Sequence, residues 1–206
     1  MISNLFKNLH KILSRDRKKL IACNALFFGI FLVASTYVGY FAIQLHESTR
    51  TLLVKNLKTD PIFSTAYEAY YIKKNPLEAL FLTFMVNYFI GALLSITLPG
   101  FFFLTIPFAA LRAMLWGVLF PIPLIHKFLP AIPTLILEGE GYAIAMAPGI
   151  NISLAVLNPR KYYNVDSRIK ALLNALKEIP AYYLVIALVL FIAAIVEVAT
   201  VFAIKG

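Results

Sequence analysis

The sequence predicts an all-α fold, a polytopic bundle of about five transmembrane helices with two interfacial amphipathic segments. Hydrophobic residues make up 61% of the 206 residues, and the mean hydropathy is +0.80. Charged residues account for 14%, whereas a soluble domain carries roughly a quarter. Several apolar runs also reach the roughly 20 residues that a helix needs to cross a bilayer. We therefore expect a single integral membrane domain over residues 1–206.

The first predicted span covers residues 20–45 and follows a basic stretch. A secretory signal peptide has an apolar core of about 7 to 15 residues and a small-residue cleavage site. Neither feature is evident, so we expect a retained first transmembrane helix. Cys23, the single cysteine of the sequence, lies in this span, which rules out an intramolecular disulfide and a CxxC motif.

Residues 46–76 are polar and contain tyrosines at helical spacing, among them Tyr67, Tyr70 and Tyr71. Tyrosine prefers the headgroup region of a bilayer. This segment is therefore predicted to be an amphipathic helix on the membrane surface, or else a surface that binds a partner.

The apolar run over residues 77–125 is too long for one span and predicts two, at residues 79–98 and 100–120. Pro99 and Gly100 form the expected turn, because proline interrupts the helical hydrogen bonds and glycine permits a tight reversal.

The remaining spans are predicted at residues 130–157 and 181–203. Between them, residues 158–180 are polar and basic, with apolar residues at the i, i+3, i+4, i+7 spacing of an amphipathic helix. We expect this helix to lie at the interface.

Five spans place the two termini on opposite sides of a cell membrane. Eleven Lys and Arg residues precede the first span or lie within 158–180, and seven lie on the other side. The positive-inside rule then places the N-terminus in the cytoplasm and the C-terminus outside. The net charge of +9 has the same origin, and without a nucleic-acid-binding motif it predicts no nucleic-acid partner.

Three charged residues, Arg112, Glu138 and Glu197, lie deep inside predicted spans, where charges are costly. Arg112 and Glu138 each lie eight residues from the same membrane side, about 12 Å deep. Equal depth on consecutive antiparallel helices predicts an ion pair between them. Glu197 reaches a similar level, so these residues and Glu140 are predicted to form one polar layer, with Asn87 as a cross-bundle hydrogen-bonding residue.

This layer has three open interpretations: a structural pair that fixes helix register, a site for an ion, proton or polar ligand, or a catalytic centre. Glu138 and Glu140 point about 200° apart on a regular helix. They share a cavity only if the Glu-Gly-Glu-Gly stretch is unwound; otherwise its glycines serve close helix packing.

Catalytic and metal motifs are missing from the sequence, which has no HExxH, GxSxG, P-loop or GxGxxG pattern. His126 has no second ligand at metal spacing. We therefore expect no catalytic residues, no cofactor and no metal site.

Three segments resemble the stage II sporulation protein M family over about residues 76–206. They are residues 84–87 (Phe-Met-Val-Asn), residues 129–130 (Leu-Pro) with 137–142 (Leu-Glu-Gly-Glu-Gly-Tyr), and residues 192–197 (Ile-Ala-Ala-Ile-Val-Glu). Residues 112–113 read Arg-Ala where the family commonly has Asn-Gly, and residues 130–132 read Pro-Ala-Ile where it has Pro-His-Gly. The chain therefore resembles a divergent branch.

The resemblance implies a non-enzymatic membrane component. The family's namesake works in an engulfment complex with cell-wall hydrolases in spore formers, a process that no residue here indicates. The resulting hypothesis is a scaffold or subunit of a membrane or envelope complex, with the lipid bilayer and other membrane proteins or further copies of the chain as partners. The alternative is a small transporter or ion channel that uses the buried charged layer.

Overall fold

The computed structural model describes the backbone of residues 2–205 and the side chains of residues 9–56, 58–61 and 64–204. This part of the chain is helical and contains no strand, which confirms the predicted all-α class. Its α-helices are α1 (Ile2–Arg15), α2 (Arg17–Phe41), α3 (Ile43–Thr59), α4 (Pro61–Tyr71), α5 (Pro76–Met85), α6 (Thr105–Leu119), α7 (Ile132–Leu157), α8 (Pro159–Tyr163) and α9 (Arg168–Lys205).

Helix α5 continues without a break into a π-helical stretch, Val86–Thr97, and then a 3₁₀ turn, Leu98–Phe102. The start of α5 is explained by its cap. The Asn75 side chain accepts hydrogen bonds from two backbone N–H groups of the first turn, and proline occupies the first helical position. Two further 3₁₀ segments, Ile122–Lys127 and Leu129–Ala131, lead into α7.

Four stretches are long and apolar enough to cross a membrane. They are Arg17–Phe41, Pro76–Phe102, Leu129–Leu157 and Arg168–Ile204. Helix α6 is apolar but has 15 residues, about 22 Å of helix against a hydrocarbon core of about 30 Å. The lengths fit a multi-pass membrane protein, with the fifth apolar helix shorter than a full span.

Helix α7 lies at the centre of the bundle and packs against α9, α2 and the π-helical stretch. Small residues allow this close approach. A Cβ atom on Gly139 would lie 2.6 Å from the Phe28 ring, and one on Gly141 would lie 2.5 Å from Leu190. The Glu-Gly-Glu-Gly stretch lies within the continuous helix α7, and its glycines serve packing.

Three boundaries differ from the prediction. The first span ends at Phe41 and not at residue 45, because the non-helical backbone of Ala42 interrupts the helix before α3 begins at Ile43. The turn after the second span extends beyond Pro99 and Gly100 to Phe103, whose φ of 61° is left-handed, so the next helix begins at Thr105. The last span is not separate from the interfacial segment: α9 runs from residue 168 through Pro180. Proline removes one backbone N–H, but packing of α9 along α7 keeps the helix continuous across it.

The polar segment 46–76 forms helices α3 and α4, which occupy one end of the bundle. Helix α4 packs against α5 and α9 through Ala69 and Tyr70, and both are buried. Helix α3 is mostly exposed. We refer to this end of the molecule as the α4 end, and to the opposite end, with α1 and α8, as the α1 end.

Candidate functional site: a charged cavity beneath α4

A cavity of about 470 Å³ lies at the α4 end of the bundle. Residues from α3, α4, α5, α6, α7, α9 and the π-helical stretch contribute to its walls. Most of the lining is apolar or aromatic, as in ordinary ligand pockets. The polar lining residues, apart from tyrosines, are Thr83, Asn87, Arg112, Thr134, Glu138, Glu197 and Thr200.

One face of α7 supplies Thr134, Glu138 and Tyr142, which follow each other at intervals of four residues and so point the same way. All three are buried, with Glu138 only 8% exposed. A carboxylate at this depth requires hydrogen-bonding partners. The neighbouring helices supply them.

The π-helical stretch brings Asn87 to the face of α7. Within it the side-chain hydroxyl of Ser95 donates a hydrogen bond to the backbone carbonyl of Ile90 at 2.5 Å. Gly91 makes room for the contact, since a Cβ there would lie 2.8 Å from both the ring and the hydroxyl of Tyr142. Short π segments inside α-helices occur frequently at functional sites.

Arg112 and Glu138 do not form the predicted direct ion pair. The Arg112 Nη2 donates to the Tyr142 hydroxyl at 2.6 Å, and that hydroxyl donates to the Asn87 Oδ1 at 2.8 Å. Asn87 Nδ2 then donates to Glu138 Oε1 at 2.5 Å. The two charges lie at a similar depth, as predicted, but Tyr142 and Asn87 occupy the space between them.

The guanidinium of Arg112 also lies over two aromatic rings. Its Cζ is 4.0 Å from the centroid of Tyr142 and 5.9 Å from that of Trp116. The negative face of an aromatic ring attracts a cation. These contacts hold the arginine against the α7 side of the cavity.

Glu197 approaches the same cavity from α9. Glu197 lines it together with Glu138 and Tyr70, and its carboxyl is close enough to interact electrostatically with the Glu138 carboxyl and the Tyr70 hydroxyl. Tyr70 is in turn hydrogen-bonded to the Thr83 hydroxyl at 2.8 Å. Two carboxyl groups so close together repel one another when both are ionised. We call Asn87, Arg112, Glu138, Tyr142 and Glu197 the cavity cluster.

Two buried polar atoms of the cavity lining have no hydrogen-bond partner among the described residues: Arg112 Nε and Thr134 Oγ1. Thr134 is 7% exposed. Such atoms are rare in folded proteins and require an explanation.

Glu140 lies apart from the cavity cluster. It is half-buried and does not line the cavity. Because α7 is a regular helix through this stretch, positions two residues apart point in nearly opposite directions. The predicted polar layer therefore contains Asn87, Arg112, Glu138 and Glu197 without Glu140.

A second polar cluster lies at the α1 end. Asp16, 5% exposed, accepts hydrogen bonds from Asn151 Nδ2 at 2.9 Å and from the Tyr182 hydroxyl, and Arg15 contacts both of its carboxylate oxygens. Arg15 also donates to both oxygens of Glu178 at 2.5 and 2.7 Å. We call it the Asp16 cluster; its members are Arg15, Asp16, Lys19, Asn151, Tyr163, Glu178 and Tyr182.

Burial alone would raise the pKa of the Asp16 carboxyl. The hydrogen bonds from Arg15, Asn151 and Tyr182 outweigh that effect and hold this pKa well below its usual range. Beside it, burial and the Glu178 charge raise the pKa of the Tyr163 hydroxyl. The cluster is thus built around an ionised carboxylate with complete hydrogen bonding.

The described residues contain no group of three His, Cys, Asp or Glu side chains that could hold a metal ion. The cavity cluster can recognise a charged ligand. It contains two neighbouring carboxyl groups and a guanidinium that lies over aromatic rings, and the amide of Asn87 and the hydroxyl of Tyr142 separate Arg112 from Glu138.

Several residues around the cavity escaped the sequence analysis. Tyr142 and Thr134 lie one helical turn either side of Glu138 on the same face, and this spacing could have identified them. Trp116 carried no comparable signal, and Tyr70 was predicted only as part of the surface segment 46–76. The Asp16 cluster was not predicted, because its members are far apart in the sequence; Asp16 and Asn151 are separated by 135 positions.

No curated protein and no solved structure matches the chain significantly. A sequence model of the Stage II sporulation protein M family matches residues 25–200. The match begins inside α2 and so extends the predicted resemblance, about residues 76–206, to the first span and the α3–α4 segment. It includes every residue of the cavity cluster. The chain belongs to the Stage II sporulation protein M family.

Proposed function

We propose that this protein is a non-enzymatic scaffold or subunit of a membrane complex, with helix α3 as its docking element. One observation carries the proposal. Nearly every described side chain of α3 is exposed, and His46 is the buried exception. A helix of 17 residues that buries so little of its own surface gains little stability from the rest of the chain.

The attachment of α3 supports this role. The His46 ring donates from Nδ1 to the carbonyl of Val118 at 3.0 Å and anchors the start of the helix. Beyond this point α3 carries exposed apolar residues, including Leu52 at 58% exposure, next to the basic Lys55 and Lys58. A groove of about 620 Å³ separates α3 from the segment Ile122–Lys127. An anchored amphipathic helix beside a groove suits a partner of opposite charge.

Site-specific photo-crosslinking tests the docking element. A benzophenone amino acid at position 52 should give one discrete crosslinked product in the source membrane. The matched control is position 188, where Leu188 is 61% exposed on the long span α9 and faces lipid in this proposal. We expect no discrete product there.

The proposal predicts a second result, that Lys55→Glu with Lys58→Glu reduces the product from position 52 severalfold, because the partner surface is acidic. Identical products from positions 52 and 188 would indicate nonspecific collision. That outcome, or no product at position 52, would contradict docking through α3.

A second candidate function, an ion channel or transporter, is favoured by the cavity itself. Glu138 and Glu197 line it within the spans, and carboxylates inside a membrane commonly mark ion or proton pathways. Proton flux in liposomes under a pH gradient tests it. A flux that Glu138→Gln abolishes while the matched Glu140→Gln preserves it would favour transport over the scaffold.

The orientation in the cell membrane belongs to the proposal as well. The basic residues of the α1 end favour a cytoplasmic location for that end, with the α4 end and the C-terminus outside. In the variant Ser64→Cys, the new cysteine should react with an impermeant maleimide added from outside, while buried Cys23 stays unreactive. Labelling of position 64 from the cytoplasm alone would reverse the orientation.

A further inference from the structure

We propose that the cavity beneath α4 binds a small organic ammonium ion that carries a neighbouring acceptor oxygen and an apolar group, with the ammonium between Glu138 and Glu197. The proposal concerns binding alone. It holds whether or not the protein acts as a scaffold.

Charge is the first argument. Of the described residues that line the cavity, Glu138 and Glu197 can carry negative charge, whereas Arg112 is the cation. Arg112 is already held by the Tyr142 ring and hydroxyl. When both carboxyl groups are ionised, one negative charge is left over beside the other carboxylate. A cation between the two relieves this repulsion.

The two unpartnered atoms are a second, independent observation. Thr134 is more than nine-tenths buried and lines the cavity, and its Oγ1 has no partner among the described residues. Arg112 Nε is a buried donor that also has no hydrogen-bond partner among the described residues. A guanidinium nitrogen only donates, so it requires an acceptor atom on the ligand, whereas the Thr134 hydroxyl can donate to a ligand or accept from it.

Most of the remaining lining residues are apolar or aromatic, which favours a ligand that carries an apolar group beside its ammonium. Leu135 and Val201 contribute aliphatic surface, while Tyr67, Tyr71 and Trp116 contribute aromatic surface. Aromatic rings attract ammonium groups and their adjacent carbon atoms. A simple metal cation would leave this surface uncovered. The combination therefore favours an amphipathic amine, such as an amino alcohol or the ammonium headgroup of a phospholipid.

Trp116 is the single tryptophan of the chain and lines the cavity, so its fluorescence reports on ligands there. The experiment titrates leucinol into the purified full-length protein in a detergent without amines. Leucinol has a primary ammonium, an adjacent hydroxyl and an isobutyl group. We expect a saturable fluorescence change. Neutral 4-methylpentan-1-ol should bind about tenfold more weakly or worse, because it lacks the charge.

Two matched variants locate the site. Glu197→Gln should weaken leucinol binding about tenfold, whereas Glu140→Gln, on the same central helix as Glu138 but outside the cavity, should leave it unchanged. Thermal unfolding of each variant verifies folding. If Glu197→Gln fails to fold, Thr134→Val serves instead, with an expected loss of about threefold to tenfold.

Nanodiscs distinguish a free amine from a lipid headgroup. Discs of phosphatidylglycerol alone should show the full leucinol response. If phosphatidylethanolamine discs suppress the response, the lipid headgroup occupies the ammonium site. If both discs respond equally, the ligand is a soluble amine. Either result supports an ammonium site.

Three results would overturn the proposal: no saturable change with leucinol, equal affinity for the neutral alcohol, or equal losses in Glu140→Gln and Glu197→Gln. Each would mean that the two carboxyl groups do not recognise charge. The crosslinking result at position 52 is independent of all three, so the proposed scaffold function can fail or hold separately.

Discussion

The two polar clusters of this protein both draw residues from helices α7 and α9, but one is completely hydrogen-bonded within the chain and the other is not. In the Asp16 cluster the charges balance, with Arg15 and Lys19 facing Asp16 and Glu178. None of its buried polar atoms is left without a partner. The cavity cluster, at the other end of α7 and α9, has more carboxyl groups than cations and an unpartnered Arg112 Nε, and it adjoins a cavity where Thr134 Oγ1 is also unpartnered.

The difference teaches which cluster is structural. A buried network that is completely satisfied within the chain ties helices together and has no capacity left for a ligand. An incomplete network beside a cavity has that capacity. A buried charge in a membrane protein therefore indicates a ligand site only when its hydrogen-bond and ion-pair partners within the chain are incomplete.

The largest expected effect is the loss of Asp16. Asp16→Ala removes a buried carboxylate that pairs with Arg15 and Lys19 and accepts hydrogen bonds from Asn151 and Tyr182, so the free energy of unfolding should fall by about 3–5 kcal/mol. Denaturant unfolding in detergent measures it. The control Asp166→Ala breaks the exposed ion pair with Arg160 and should cost less than about 1 kcal/mol. Similar losses in both variants would show that the Asp16 cluster is not structural.

Acid should weaken the same cluster. Because the folded-state pKa of Asp16 lies below its unfolded value, the stability it contributes is complete above the unfolded pKa of about 4 and declines as the pH falls below it. The wild-type protein should therefore lose more unfolding free energy than Asp16→Asn between about pH 4 and pH 2. Parallel pH profiles would contradict this assignment.

Gly91→Ala tests the close contact that builds the cavity cluster. The added Cβ would lie 2.8 Å from the Tyr142 ring and hydroxyl, so the tyrosine must move, and we expect a loss of about 1–3 kcal/mol. Gly29 is the matched control, since nothing lies within 4 Å of a Cβ there. Gly29→Ala should raise stability by about 0.5–1 kcal/mol, and a loss in both would point to a general effect.

The smallest effect is expected from Tyr142→Phe. The ring stays under the Arg112 guanidinium, but the hydroxyl that bridges Arg112 and Asn87 is lost. Arg112 and Asn87 each lose a hydrogen-bond partner, so we expect the free energy of unfolding to fall by about 1–2 kcal/mol. This loss is smaller than that of Asp16→Ala. Thermal unfolding measures it, with Tyr40→Phe as the exposed control. A loss above that of Asp16→Ala would reverse the ranking of the two clusters.

Much of the architecture was predictable because a membrane span is encoded by a run of consecutive apolar residues. Helical class and the apolar spans follow from runs of residues in sequence, and the family resemblance followed from short motifs. Boundaries were less predictable where packing overrides a local signal, as at Pro180, which lies inside a continuous helix. The depth of Arg112 and Glu138 followed from counting helical rise, but their indirect connection did not.

The sequence by itself determined that this chain is a helical membrane protein of the Stage II sporulation protein M family with charges inside its spans. Only the tertiary structure decided what those charges contact. The rotation of each helix depends on packing contacts between residues far apart in sequence. That rotation turned Glu138 toward Asn87 and Glu140 away, and it joined Asp16 to Asn151.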